Sequence, residues 1–197
     1  MSSQSSPIGR RGLLLSLGVS GALFALGWGA SKTQAAPVIR PPGGQDEDFL
    51  SKCIRCDRCR SICPTNVIGI GGLAEGVVNL RTPVMNYKYG SCDFCGQCIE
   101  VCPTGALRNY PGETTVVGRA RLTEICIALR TGACTKCKEE CPYEAISLGE
   151  GMIPVIDDDK CNGCGVCEHI CPANVLQTYT GRNLRGIEVL PLEGAEA

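Results

Sequence analysis

Sixteen cysteines in this chain of 197 residues occur in four short runs, and no cysteine lies outside them. The runs comprise Cys53, Cys56, Cys59 and Cys63; Cys92, Cys95, Cys98 and Cys102; Cys126, Cys134, Cys137 and Cys141; and Cys161, Cys164, Cys167 and Cys171. All end in Cys-Pro, and three share the spacing Cys-x2-Cys-x2-Cys-x3-Cys, whereas the third run has a seven-residue first gap. This spacing is typical of thiolate ligation of [4Fe-4S] clusters. Sixteen thiolates therefore predict four clusters.

Two other uses of clustered cysteines fit the pattern less well. A disulfide framework scatters its cysteines so that bridges connect distant segments, whereas these lie in four similar runs. Structural zinc commonly uses two separated Cys-x2-Cys pairs and does not require a third cysteine and a Cys-Pro ending in every run. The repetition therefore favours iron–sulfur ligation.

The N-terminal segment has the features of an export signal. Arg10 and Arg11 precede an uncharged stretch that extends to Ala30, which is typical of a twin-arginine signal. Glycines and serines dilute this stretch and make it less hydrophobic than a committed membrane span. We expect cleavage after Ala35, and an uncleaved membrane anchor is the alternative. This route exports folded proteins to the periplasm, which suits clusters inserted in a reducing compartment.

Charge and composition limit the classes of function. Of the 19 basic residues, three lie in residues 1–35, which contain no acid, so the rest has 16 basic and 20 acidic side chains and a net charge of −4. This balance does not favour nucleic-acid binding, which needs a basic face with aromatic stacking platforms. With only 5% aromatic residues, we expect a small apolar core, stabilised by the clusters, and a largely unfolded apoprotein.

The four runs resemble the two-cluster bacterial ferredoxin fold, a pseudo-symmetric α+β unit, repeated in tandem. The resemblance implies that the fourth cysteine of a run crosses to the cluster of its partner run. Adjacent pairing groups Cys53, Cys56 and Cys59 with Cys102, groups Cys92, Cys95 and Cys98 with Cys63, and joins runs three and four likewise. Nested pairing, as in four-cluster subunits of molybdoenzymes, couples run one to run four. The sequence does not decide between the two.

This organisation divides the chain into five segments. We predict a signal over 1–35, an extended linker over 36–52, ferredoxin-like units over 53–120 and 121–185, and a C-terminal tail over 186–197.

Short hairpins are predicted inside the two units. One should form where 145–148 and 152–156 flank Gly149-Glu150-Gly151, and a similar one could join 106–108 to 115–117. The aspartates 157–159 indicate a solvated turn.

Two features outside the regular runs resemble the NapG/MauM family of periplasmic ferredoxin-type proteins. Arg40-Pro41-Pro42-Gly43, followed by acidic residues, Phe49 and the first run, is similar to the opening of that family. The stretched third run, from Cys126 to Pro142, is similar to its distinctive third run. The resemblance implies an electron-transfer component of a quinol dehydrogenase system. Its partners would be a polytopic membrane iron–sulfur protein that oxidises quinol and a periplasmic acceptor, either a cytochrome or a reductase.

Two further functions remain open. The chain could be the electron-transfer subunit of a membrane-bound molybdoenzyme, or an accessory factor that helps a periplasmic oxidoreductase to mature. The sequence has no recognisable flavin, molybdenum or nucleotide site, so substrate chemistry should belong to partners.

A few other residues bear on function. Arg55, Arg58 and Arg60 lie among the cysteines of the first run and should raise the potential of its cluster, because reduction adds negative charge. His169 is expected to be an ordinary surface residue. Residues 87–89 are expected to form a strand or loop without a functional role.

Overall fold

The computed structural model describes residues 37–108, 115–173 and 184–192. The predicted signal therefore lies outside the described residues. Within the described residues each α-helix is a single turn: α1 Phe49–Lys52, α2 Arg58–Ile62, α3 Gln97–Glu100, α4 Ile127–Thr131, α5 Lys136–Glu139 and α6 Val166–His169. Its strands are β1 Ile68–Ile70, β2 Pro83–Met85, β3 Arg119–Leu122, β4 Ile146–Leu148, β5 Pro154–Ile156 and β6 Ile187–Leu190, with 3-10 turns at Leu73–Glu75 and Glu150–Met152. The predicted α+β content is confirmed.

Two equivalent hairpins follow the first and third runs. The predicted hairpin is confirmed as β4–β5, an antiparallel pair in which Ile146 lies opposite Ile156. In the first half β1 pairs with β2, and Ile68 lies opposite Met85. Each hairpin places one buried isoleucine, Ile68 or Ile146, against the cysteine-rich core of its own half.

The second predicted hairpin is wrong. Its first arm is not a strand, because the backbone N–H of Arg108 donates instead to the carbonyl of Gly43 over 3.1 Å. Its second arm is also irregular, since the N–H of Val117 donates to the carbonyl of Asn162 over 3.0 Å. The chain then continues into β3, which pairs with β6 so that Ala120 lies opposite Val189.

Strand β6 comes from the segment predicted as a C-terminal tail. Ile187 and Val189 have relative exposures of 2% and 6%, so the part of this segment that the structure describes contributes to the fold. Ile187 packs in one core, and Val189 packs in the other. Strand β6 therefore connects the two halves.

Two small cores contain most of the cysteines. Core 1 contains Phe49, Val67, Ile68, Met85, Tyr87, Cys98, Ala106, Leu107 and Val189, with five more cysteines of runs one and two packed against it. Core 2 contains Ala120, Cys137, Ile146, Cys167 and Ile187, with Cys141, Cys161 and Cys171 packed against it. Helix α2 packs against α3 beside core 1, and α5 packs against α6 beside core 2. The large apolar side chains are few, so thiols form much of each core.

The segment predicted as an extended linker packs onto the first half instead. Residues 41–44 are buried, and 49–52 form α1. Arg108 forms ion pairs with Asp46 over 2.9 Å and with Asp48 over 2.8 Å, which fix the segment against the end of run two. Gly43 makes the close approach possible, because it has a φ of +81° and a Cβ there would lie 2.2 Å from the Arg108 carbonyl oxygen.

We expect Gly43→Ala to lower the melting temperature of the metal-loaded protein more than Gly105→Ala does. Both glycines have positive φ, so each substitution should cost about 1–2 kcal/mol in backbone strain. Only the Cβ at Gly43 also meets backbone, since no atom lies within 4 Å of a Cβ at Gly105. Calorimetry measures the melting temperatures of both variants. Equal losses would contradict the packing of residues 41–44 against Arg108.

Candidate metal centres

The three regular runs share one backbone conformation around their second cysteine. The residues just before and just after it have positive φ: Arg55 (56°) and Asp57 (60°), Phe94 (55°) and Gly96 (78°), Gly163 (79°) and Gly165 (80°). A left-handed residue on each side reverses the chain twice within one loop. A single-turn helix follows at once and carries the third cysteine, which is Cys59 in α2, Cys98 in α3 and Cys167 in α6. Equal spacing therefore produces equal loops.

The third run reaches the same result by another path. Its seven-residue gap contains α4, which ends at Gly132 with a φ of 60°. The chain then passes Cys134 and enters α5, which carries Cys137. The extra residues form a helical turn between the first two cysteines, and the third cysteine again lies on a short helix.

Four cavities collect the sixteen cysteines in sets of four. Cavity 1 is lined by Cys53, Cys56, Cys59 and Cys102; cavity 2 by Cys63, Cys92, Cys95 and Cys98; cavity 3 by Cys126, Cys134, Cys137 and Cys171; and cavity 4 by Cys141, Cys161, Cys164 and Cys167. Each set combines three cysteines of one run with the last cysteine of the neighbouring run. The structure therefore has the adjacent arrangement rather than the nested one.

The cavities suit a group larger than a single ion. Their empty volumes, including solvent at the openings, are about 320 Å³ for cavities 2 and 3, 340 Å³ for cavity 4 and 370 Å³ for cavity 1. Over the residues that the structure describes, no group of three His, Cys, Asp or Glu side chains is arranged to hold one metal ion. Four soft thiol donors around a wider space fit a polynuclear iron–sulfur group.

Hydrogen bonds point at several of the sulfurs. The N–H of Leu107 donates to the Sγ of Cys102, and the N–H of Ala120 donates to the Sγ of Cys161, each over 3.5 Å. The hydroxyl of Thr65 lies 3.5 Å from the Sγ of Cys63. Donors to ligand sulfur stabilise added negative charge, so these contacts would tune a bound cluster.

Burial keeps several of the thiols protonated in the absence of metal. It raises the pKa of Cys59 and of Cys92 to about 12, and that of Cys98 and of Cys137 to about 11, with neighbouring thiols adding to each shift. Burial also opposes ionisation of Cys63, but hydrogen bonds from Thr65 and from backbone N–H groups bring its pKa below the usual value. Metal ligation by the high-pKa thiols must therefore release protons.

A half-buried cation near cavity 1, Arg40, is missing from the sequence prediction. Arg55, Arg58 and Arg60 are exposed, so solvent screens their charges. Arg40 instead stacks on the Phe49 ring at 4.3 Å from its centroid and donates to the Oδ1 of Asn79 over 2.8 Å. Burial lowers the pKa of Arg40, and its interaction with Cys53 opposes that shift. The Arg-Pro-Pro-Gly motif draws attention to Arg40 in the sequence, but it indicates the family and not where the arginine side chain lies.

Tyr87 and His169, for which the sequence predicts no functional role, lie between the halves. Tyr87 is only 3% exposed, and its hydroxyl donates to the carbonyl of Gly163 over 2.6 Å. His169 is half-buried, with Nδ1 3.1 Å from the carbonyl oxygen of Tyr87, so the prediction of an ordinary surface residue is wrong. The predicted solvated turn at 157–159 is confirmed, because all three aspartates are exposed.

Comparison with known proteins agrees with this geometry. The family model described as a 4Fe-4S dicluster domain matches residues 52–106 and again residues 130–175, one match in each half. The chain is 36% identical over 170 aligned positions to the methylamine utilization ferredoxin-type protein MauM of Methylorubrum extorquens, which covers 76% of this chain and 74% of that protein.

Two ferredoxin-type proteins of Escherichia coli are also similar. NapG is 32% identical over 202 positions, covering 91% of this chain and 82% of its own length. NapF is 31% identical over 151 positions, covering 73% and 85% respectively. Fold, cysteine sets and matches together define an iron–sulfur electron-transfer protein of the ferredoxin type. The chain belongs to the family of 4Fe-4S ferredoxin-type proteins that includes MauM, NapF and NapG.

We expect Arg40→Gln to lower the midpoint potential of the cluster nearest Cys53 by tens of millivolts, because a half-buried cation is screened less by solvent and favours the reduced, more negative state. Arg55→Gln is the matched control, and its shift should be smaller because that charge is exposed. Redox titration with EPR detection measures both. The prediction fails if the exposed arginine has the larger effect.

Proposed function

We propose that this protein binds four [4Fe-4S] clusters, one in each cavity, as two tandem bacterial-ferredoxin-like units. The arrangement of sixteen cysteines as four complete sets of four carries this proposal. When bound, each cluster would accept and release one electron at a time. The chain supplies thiolate ligands, N–H donors and a shell that limits water.

The proposed role is to carry electrons from a membrane quinol-oxidising protein to a periplasmic acceptor. Arg10 and Arg11 in the predicted signal support export by the twin-arginine route. Among the described residues, no helix is long and apolar enough to cross a membrane. One relative's name refers to methylamine utilization, which supports an accessory place in an oxidoreductase system. The membrane partner would then be a separate polytopic iron–sulfur protein, and the acceptor would be a cytochrome or a reductase.

The cavities themselves support a transfer protein without a substrate site. Their linings are mainly cysteines with apolar, proline and small residues, and the charged side chains among them are Arg55, Asp57 and Arg58 in cavity 1, Asp93 in cavity 2 and Lys136 in cavity 3. None of the four linings contains a histidine or a second carboxylate that could form an acid–base pair at a substrate. Exposed positions near cavity 1, including Ile54 at 63% exposure and Cys56, would bring that cluster close to a docked partner.

We expect Cys63→Ser and Cys95→Ser to change the same EPR signal, and Cys59→Ser to change another, because Cys63 and Cys95 line cavity 2 whereas Cys59 lines cavity 1. The unchanged protein should contain about sixteen iron and sixteen sulfide per chain. If Cys63→Ser instead altered the signal that Cys164→Ser alters, a nested arrangement would replace the adjacent one. An iron content of about eight atoms per chain would indicate two clusters instead of four.

Stopped-flow absorbance tests the proposed role. Loaded protein should be reduced when quinol and membranes containing the partner are both present, and not with either alone. In cells, the double variant Arg10→Lys, Arg11→Lys should leave the precursor in the cytoplasm and abolish delivery to the acceptor. An acceptor that stays inactive without this chain, even with an artificial electron donor, would indicate a maturation factor instead.

A further inference from the structure

One hydrogen bond connects the loops of cavities 2 and 4. The backbone N–H of Cys92, which lines cavity 2, donates to the carbonyl of Cys164, which lines cavity 4, over 2.8 Å. Both residues belong to cysteine loops, so a ligand residue of one cavity touches a ligand residue of the other through a single backbone contact. This contact therefore joins the two halves directly between two cysteine loops.

Tyr87 packs against the same run-four loop that accepts this hydrogen bond. Its hydroxyl donates to Gly163, the residue before Cys164. Its ring lies directly over Gly165, the residue after Cys164, because a Cβ on that glycine would be 1.9 Å from Tyr87 Cδ1. Only a residue without a Cβ allows this approach. Tyr87 therefore spans the backbone of the run-four loop on both sides of its second cysteine, five residues before Cys92 in sequence.

Other contacts hold the same junction together. The carboxylate of Glu168 accepts from the N–H of Val189 over 2.8 Å, and Val189 packs in core 1. Arg185 donates to the carbonyl of His169 over 2.7 Å, and the imidazole of His169 faces the Tyr87 carbonyl. Strand β6 and helix α6 therefore fix run four against the first half, which keeps the Cys92–Cys164 contact short.

Within each half, a different pair of helices joins the cavities. Helices α2 and α3 pack together and carry Cys59 of cavity 1 and Cys98 of cavity 2. Helices α5 and α6 pack together and carry Cys137 of cavity 3 and Cys167 of cavity 4. The successive contacts thus run from cavity 1 to 2, from 2 to 4, and from 4 to 3.

We propose that Tyr87 and the Cys92–Cys164 hydrogen bond form the electron path between the halves, so that the clusters are connected in the order 1, 2, 4, 3. The proposal rests on the four-cluster function above. With clusters bound, an electron lost by one cluster would be gained by its neighbour, and no bond or proton would be exchanged. Tunnelling slows steeply with distance and is faster through bonded atoms than across a gap, which favours the hydrogen-bonded contact.

This order has a consequence for partners. Cavities 1 and 3 become the two ends of the path, although their cysteine runs are first and third in the chain. Ile54 and Arg55 are exposed beside cavity 1, and Leu129 is 45% exposed on α4, inside the first gap of the run that lines cavity 3. The donor and the acceptor would therefore dock at opposite ends of the path, and cavities 2 and 4 would form its two middle positions.

The first test removes the tyrosine side chain from the junction. We expect Tyr87→Leu to retain its iron and sulfide but to slow electron redistribution between the halves at least several-fold after pulse reduction. Tyr89→Leu is the matched control, because Tyr89 is 73% exposed, and its redistribution rate should not change. A Tyr87→Leu protein with full cluster content and an unchanged rate would overturn the assigned path.

A second test does not need a variant at the junction. Cys56 and Cys95 are the exposed second cysteines of runs one and two, so Cys56→Ser and Cys95→Ser perturb equivalent positions. The spin–spin broadening of the cavity 4 EPR signal should change in Cys95→Ser and stay constant in Cys56→Ser. The reverse result would overturn the order 1, 2, 4, 3. Both readouts are independent of quinol, so the proposed partner can be wrong while the internal order holds.

Discussion

Each cavity is completed by a cysteine from the neighbouring run, and this exchange of fourth ligands is the constraint on which both halves depend. Cys63, the last cysteine of run one, lines cavity 2, and Cys102, the last cysteine of run two, lines cavity 1. Neither cavity of a pair can form until both runs have folded against each other. Single-turn helices and strands of three or four residues are too short to be stable alone. The two runs must therefore become ordered together, and metal binding and folding are one process.

The small size of the two cores explains why strand β6 is needed. Core 1 and core 2 each contain few large apolar side chains, and β6 contributes Val189 to the first and Ile187 to the second. Hydrogen bonds from Val189 and Arg185 then reach helix α6 and its end. The two halves are thus joined by shared side chains and backbone contacts rather than by a simple linker. A rigid junction keeps the separation of the cavities constant, which an electron carrier needs.

The surroundings of the four cavities are not equal. In the first half the last cysteine of each run is followed by proline and threonine, and the Thr65 and Thr104 hydroxyls lie 3.5 and 3.8 Å from the Sγ of Cys63 and Cys102. In the second half Tyr143 and Ala173 take the threonine positions. Arg40 adds a half-buried positive charge near Cys53 of cavity 1. Together these differences give the first half more groups that stabilise added negative charge.

The sequence by itself determined the chemistry. The sixteen cysteines, their Cys-x2-Cys-x2-Cys-x3-Cys-Pro spacing and the stretched third run were sufficient to predict iron–sulfur ligation and the family. The α+β content followed from the resemblance to the bacterial ferredoxin fold, and the β4–β5 hairpin followed from residues close together in the chain.

The tertiary structure decided everything that depends on contacts between distant residues. Adjacent and nested pairing use the same spacing, so only the placement of Cys63 and Cys102 in space distinguishes them. The segment predicted as a tail forms strand β6 because it pairs with β3, although nearly seventy positions separate the two strands in sequence. Local sequence does not specify the contacts of Arg40 and Tyr87, which follow from packing against Phe49 and Gly165. Local spacing specifies ligands, whereas packing specifies which ligands share a site and how the sites are connected.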